Sequence, residues 1–269
     1  MNTTAPPPLR TDALGATSLS SRRRNALAVV SLVTVLCLWS LLSSAGWVDR
    51  VLLPSPLEVL KSLVASVRDG SLLRHVIASL MRVLQGFAVA LLIAVPLGIA
   101  MGVSQVTRAL IEPLLELLRP IPPIAVIPLA ILWFGIDELS KVFIIAYGAF
   151  FPILVNTMAG FREVDRVHVR AAQVLGAKRW HIFRDVVLRS AFPFIVVGAR
   201  VGMGMAFIVL VAAELIASSA GLGFMISDAR YNFRTDQIFL GMACIGVLGF
   251  GLNKLLLEIE RHLLSWKSQ

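Results

Sequence analysis

At 269 residues the chain has room for one or two soluble domains, but 57% of it is hydrophobic, only 15% is charged, and its mean hydropathy is +0.83. Several uncharged runs reach about 20 residues, the length that crosses about 30 Å of hydrocarbon, and as buried helices of a soluble core they would leave little polar surface. The net charge of +9 raises nucleic acid as a partner, yet no recognition fold accompanies it, and the placement of the basic residues explains it otherwise.

Residues 1–24, with Pro6, Pro7, Pro8 and many small polar residues, read as a disordered cytoplasmic tail. A first span follows at about 25–45. Arg22, Arg23 and Arg24 precede it as they would a signal peptide, but the apolar run is too long for one and Trp47-Val48-Asp49 is a poor cleavage site, so a retained helix is expected. Next, Ser55 as N-cap, Pro56 at the first helical position and Glu58 form a capping box, which predicts a helix ending before Gly70. Its apolar face, Leu57, Leu60, Val64 and Val67, suits a helix lying on the membrane surface and one packed on the other spans equally well.

Five further spans fall at about 83–103, 120–136, 142–161, 191–217 and 237–253, six in all. The third carries Pro120, Pro122, Pro123 and Pro128 and is expected to start as a broken or partly re-entrant segment, because proline frees carbonyls that only protein neighbours can satisfy in lipid. Gly98 and Gly102 in the second span, and Gly198 and Gly202 in the fifth, have the small-xxx-small spacing that lets helices approach closely. Cys37 and Cys244 both fall within spans, where they act as small apolar residues. With both termini in the cytoplasm, the inner segments hold sixteen Lys and Arg and the outer ones eight, the bias of the positive-inside rule.

Chemistry is sparse. The chain has no G-x-x-x-x-G-K-[ST] loop, no H-E-x-x-H and no histidine at a span centre, so neither catalysis nor a cofactor or metal is expected. Gly221-Leu222-Gly223 reads as a turn outside the fifth span. Within that span Arg200 and Glu214 lie about 21 Å apart on one face, too far to pair. With Gly204 between them they mark a candidate pathway or inter-helix seam; alternatively, Arg200 reaches the inner interface and Glu214 the outer one.

The segment 162–190 gathers seven Lys and Arg on the cytoplasmic side. Arg170–Leu175 suits a short helix, Gly176 a left-handed stop, and Lys178–Leu188 a second helix. Ala171 and Ala172 leave a face flat enough for a partner, and Trp180 and Phe183 supply aromatic anchors. Arg170-Ala171-Ala172, then Gly176, then Val186–Arg189 resembles the E-A-A-x3-G-x9-I-x-L-P loop in the permease subunits of binding-protein-dependent ABC importers. LRPIPPIAVIPLAILWFGI (Leu118–Ile136), AFFPILVNTMAG (Ala149–Gly160), LVAAELIASSAGLGFM (Leu210–Met225) and the final LLSWK resemble the taurine, aliphatic sulfonate and nitrate branch. The likeness covers nearly everything after Pro54.

This resemblance implies an all-α integral membrane protein with the type I ABC importer permease fold, in a bacterial inner membrane and in contact with its lipid. It implies a homodimer that works with two cytoplasmic ATPase subunits and an outer solute-binding protein by alternating access. The loop would hold the coupling helix that docks on the ATPase through Arg170, Ala171, Ala172, Gly176, Trp180 and Phe183. Two positions depart from the pattern: Arg170 replaces the usual Glu, a hint toward sulfonates, and Arg189 replaces Pro, which lengthens the second helix toward the fifth span. The implied cargo is a small anion, with taurine, alkanesulfonate, nitrate and a thiamine precursor open in that order. A self-contained secondary carrier or channel is the alternative. It would use Arg200 and Glu214 as its site but gives the cytoplasmic loop no role.

Overall fold

Uncharged runs in lipid become helices because a helix satisfies its backbone N–H and C=O groups within one segment. The computed structural model describes residues 21–45, 49 and 51–263, and every element in it is helical. Two compact units divide the chain, Met1–Pro56 and Leu57–Gln269. In the first, α1 (Ser21–Ser44) begins four residues before the expected span and takes in Arg22–Arg24. The rest of the expected tail, and Trp47 and Val48, lie outside the described residues. Trp39 Nε1 donates to the Pro54 carbonyl at 3.0 Å and Ser43 Oγ to that of Leu53 at 3.1 Å, which ties the segment after α1 back onto the helix.

α2 (Pro56–Arg68) starts at Pro56 and stops before Gly70, as the capping box predicts. It turns its serines inward: Ser62 and Ser66 are buried, and Val59 and Leu63 pack on a small cluster of Leu72, Leu222, Met225 and Leu240. The stripe of Leu57, Leu60, Val64 and Val67 stays 44–60% exposed. The helix therefore packs on the bundle and also presents an apolar face outward.

The main core joins α3 (Ser71–Val103), α6 (Glu138–Arg162) and α9 (Arg189–Ala217) through Val83, Ala90, Ile145, Ala149, Ile153 and Ala206. Lipid tails are as apolar as these side chains, so close van der Waals packing holds the helices together. The paired glycines make it possible, and both pairs address α6. Gly98 lies against Thr157, Gly102 against Phe161, Gly198 against Asn156 and Gly202 against Ile153, so close that a Cβ at any of the four would collide. α10 (Leu222–Tyr231) and α11 (Thr235–Leu263) complete the unit.

Six crossings were expected. Among the described residues four helices are long and apolar enough to cross a membrane, Ser71–Val103, Glu138–Arg162, Arg179–Ile216 and Thr235–His262. The apolar part of α1, Val29–Ser44, is shorter than these. A fifth crossing arises only if α4 (Gln105–Leu118) and α5 (Pro123–Phe134), bent by 97°, count as one. Near the expected span at 120–136 the helices are broken, and α5 alone is only about 18 Å long, so a crossing there takes in α4 as well. Arg108, Glu112 and Glu116 hid α4 from a hydropathy reading, and Pro122 and Pro123, lacking N–H groups, interrupt the helix behind it.

Candidate functional site

The basic segment folds as two helices about a glycine. α7 (Arg166–Val174) is capped by Asp165, whose carboxylate accepts from the Val167 N–H at 2.8 Å. Gly176 then takes φ +79°, and the Gly176 and Ala177 N–H groups donate to the carbonyls of Gln173 and Ala172, both at 3.0 Å. From α8 (Arg179–His181) a π-helical stretch, Ile182–Leu188, runs unbroken into α9. Arg189 sits at that junction and its N–H donates to the Val186 carbonyl, a bond that proline could not make.

Arg170, Ala171, Gly176 and Trp180 are exposed, while Ala172 and Phe183 are half-buried. The Phe183 ring stacks on Phe161 at the end of α6, with centroids 6.3 Å apart, and packs beside Trp180 at 6.0 Å. Phe183 therefore fastens the segment to α6, and Trp180, 64% exposed, remains the open aromatic. Ala171, Ala172 and Leu175 face Val186 and Pro193 across a groove of about 560 Å³. Val174 and Leu175, which the sequence reading did not single out, are 87% and 86% exposed.

A second constellation was missed almost entirely. Arg82 of α3 grips Glu138 at the start of α6 with two parallel bonds, Nε to Oε2 at 2.6 Å and Nη2 to Oε1 at 2.7 Å. Its Nη1 donates to Glu214 Oε1 at 2.7 Å and to the Ala220 carbonyl. Glu214 is 1% exposed and also accepts from Ser79 Oγ at 2.8 Å and from the Gly223 N–H at 2.9 Å. Lys141 Nζ lies 3.0 Å from Glu138 Oε1. Two cations and two carboxylates thus balance, with their hydrogen bonds satisfied, which a buried ionic group requires.

The turn expected at Gly221-Leu222-Gly223 is instead the N-terminus of α10, with Gly221 as its N-cap, and it wraps this cluster. The Gly221 N–H donates to His75 Nδ1 at 3.1 Å and the Leu222 N–H to Ser79 Oγ at 2.8 Å. Gly221 has φ +119°, and a Cβ there would strike the Glu214 carboxylate and the Arg82 guanidinium. Arg200 has a different partner, Glu260 of α11, at 3.1 Å. Gly204 faces open space. Arg200 and Glu214 thus each take an ion-pair partner on a neighbouring helix, Glu260 of α11 and Arg82 of α3.

Residues 94–265 match the family described as "Binding-protein-dependent transport system inner membrane component". The taurine transport system permease protein TauC of Escherichia coli is 37% identical, over 92% of this chain and 92% of its own. The putative aliphatic sulfonates transport permease protein SsuC of Bacillus subtilis is also 37% identical, over 87% and 85%. The bicarbonate transport system permease protein CmpB of Synechococcus elongatus is 31% identical, over 88% and 89%. Among solved structures, a chain of the inward-facing MetNI methionine ABC transporter superposes with a TM-score of 0.54, covering 69% of this chain and 95% of that one at 19% identity, which supports the fold alone. With the family match spanning most of the chain and these relatives nearly all of it, the protein belongs to the inner-membrane permease subunits of binding-protein-dependent ABC importers.

Proposed function

We propose that this permease passes a small organic sulfonate, taurine first among the candidates, and that residues 162–190 carry the ATPase's motion into its spans. The observation that supports the coupling role is the bare groove edged by Ala171, Ala172 and Leu175, followed by one continuous helix from Arg179 to Ile216. A push on the groove is then transmitted along a rigid rod to mid-membrane. Sulfonate as cargo is supported by the two relatives named for taurine and aliphatic sulfonates, with bicarbonate, from a third relative, as the competing anion. The working unit would be two copies of this chain, two ATPase subunits and a solute-binding protein, with both termini cytoplasmic.

Reconstitution into proteoliposomes with its ATPase and binding protein tests this. Uptake of labelled taurine should require ATP and the binding protein, and should be competed by alkanesulfonates more strongly than by bicarbonate or nitrate. Preference for bicarbonate would overturn the sulfonate reading, and uptake without the ATPase would overturn the permease mechanism. The orientation is tested separately. Single cysteines at Lys178 and Asp228, both exposed, should react with impermeant thiol reagents from opposite sides of the membrane. Labelling of both from one side would sink the six-span arrangement.

A further inference from the structure

Where α4 stops and α5 begins, the chain places a guanidinium without a partner. Arg119 makes no ion pair or side-chain hydrogen bond among the described residues, although 97° of bend separates the two helices that flank it. It lines a cavity of about 380 Å³ whose far walls are Tyr147, Phe151 and Asn156 of α6 and Val201 and Met205 of α9. Those residues sit near the middle of the two spans, so the cavity lies at mid-membrane depth. A charge there is costly unless it faces protein or water, and as a rule it marks a pathway.

Further features offer the cavity polar groups that water or an anion could use. Pro152 in its wall has no N–H for the Gly148 carbonyl, also in the wall, which therefore calls for another donor such as water. The Tyr147 hydroxyl lies 3.0 Å from the Leu118 carbonyl and 3.3 Å from that of Ile121, and so covers carbonyls at the helix break that would repel an anion. Asn156 spends one amide N–H on the Pro152 carbonyl at 2.8 Å and keeps the other. The remaining wall is apolar, which leaves Arg119 as the one charged group lining the cavity among the described residues. An adjoining cavity, which shares Arg119, Phe151 and Val155, is lined by Glu112 and Glu116. Glu112 is neutralised by Arg108 at 2.9 Å, and Glu116, one turn before Arg119, makes no ion pair among the described residues.

We propose that Arg119 is a waypoint for a small oxyanion in the translocation passage, a sulfonate or carboxylate held for a moment in the cavity between α5, α6 and α9. A guanidinium presents a planar fork of donors that matches the oxygens of such groups. A single such contact, with apolar walls around it, is weak enough to release its cargo. The inference rests on the small-anion reading above.

The test uses the complete transporter in proteoliposomes, in a Cys37→Ser, Cys244→Ser background. Arg119→Cys should lower ATP-driven taurine uptake at least about tenfold, the equivalent of about 1.4 kcal/mol, with assembly intact. Reaction with the cationic aminoethyl methanethiosulfonate, which restores a positive charge, should recover most of the uptake. The anionic sulfonatoethyl reagent should also react and should leave the protein inactive. Glu116→Gln should retain uptake. If Arg119→Cys transports like the parent, resists both reagents, or regains uptake when Glu116→Gln is added, Arg119 is not a waypoint and in the last case merely balances Glu116. If the parent itself takes up no sulfonate, bicarbonate or nitrate, the small-anion reading falls, and this inference with it.

Discussion

Replacing Arg82 by leucine is expected to cost about 3–5 kcal/mol of stability, the scale for stripping one partner from a buried ion pair. Glu214 would stay in place with its side chain fully enclosed, held only by Ser79 and the Gly223 N–H. The Ala220 carbonyl would lose one of its two donors and keep Ser218 Oγ. Glu138, 53% exposed at its side chain, can turn to solvent and keeps Lys141, so the penalty concentrates on Glu214. An SDS titration of the detergent-solubilised chain should show the lower unfolding midpoint. Adding Glu214→Leu should return much of the loss, because removing both charges spares the remaining one its desolvation. A midpoint unmoved by Arg82→Leu alone would mean that the cluster does not hold α3, α6 and α9 together.

The same cluster marks the limit of what the sequence makes legible. Periodicity and charge runs are local signals, and they served for the span at 142–161, for α2 with its capping box, and for the glycine stop at Gly176. The Arg82–Glu214 pair joins residues 132 positions apart, and no window of sequence contains both. Arg82 read as one of the outer basic residues because the uncharged run begins after it, whereas the helix begins at Ser71. Glu214 was visible as a charge inside a span, but its partner was not. Arg200 had a similar fate, with Glu260 lying 60 residues away in the last helix. Hydropathy likewise could not reveal α4: its apolar run is interrupted every four residues by Arg108, Glu112 and Glu116, which share one face of the helix, and their neutralisation or use depends on what the fold brings near.

The family resemblance reached further than periodicity at the loop, though not to its details. It located Ala171, Ala172 and Gly176 in one motif, and the structure sets the two alanines along a groove beside the glycine turn. The exposed Val174 and Leu175 carry no periodic signal in so short a helix. The π-helical stretch at Ile182–Leu188 also leaves no trace in composition, yet it changes which side chains of the second helix face the groove, since each π turn holds more residues than an α turn.

Gly176→Val is expected to abolish coupling while leaving the spans intact. A Cβ at Gly176 meets nothing within 4 Å, so valine fits the space and the whole penalty comes from the backbone. At φ +79° a β-branched residue is a genuine outlier, and holding an L residue in the left-handed region costs about 1–2 kcal/mol even before branching. The loop can escape that strain by opening the turn, which would swing α7 away from Val186 and Pro193 and dismantle the groove. Gly176→Asn should behave almost as wild type, because asparagine visits the left-handed region routinely. Ala172→Trp should reproduce the valine defect by another route, filling the groove instead of unhinging it. In proteoliposomes with the ATPase and binding protein, ATP-driven uptake should fall at least about tenfold for the valine and tryptophan variants and persist for asparagine. The detergent-solubilised permease should keep its unfolding midpoint in all three. Normal coupled uptake by Gly176→Val would mean that the turn between α7 and α8 is not where the motor's motion enters the membrane.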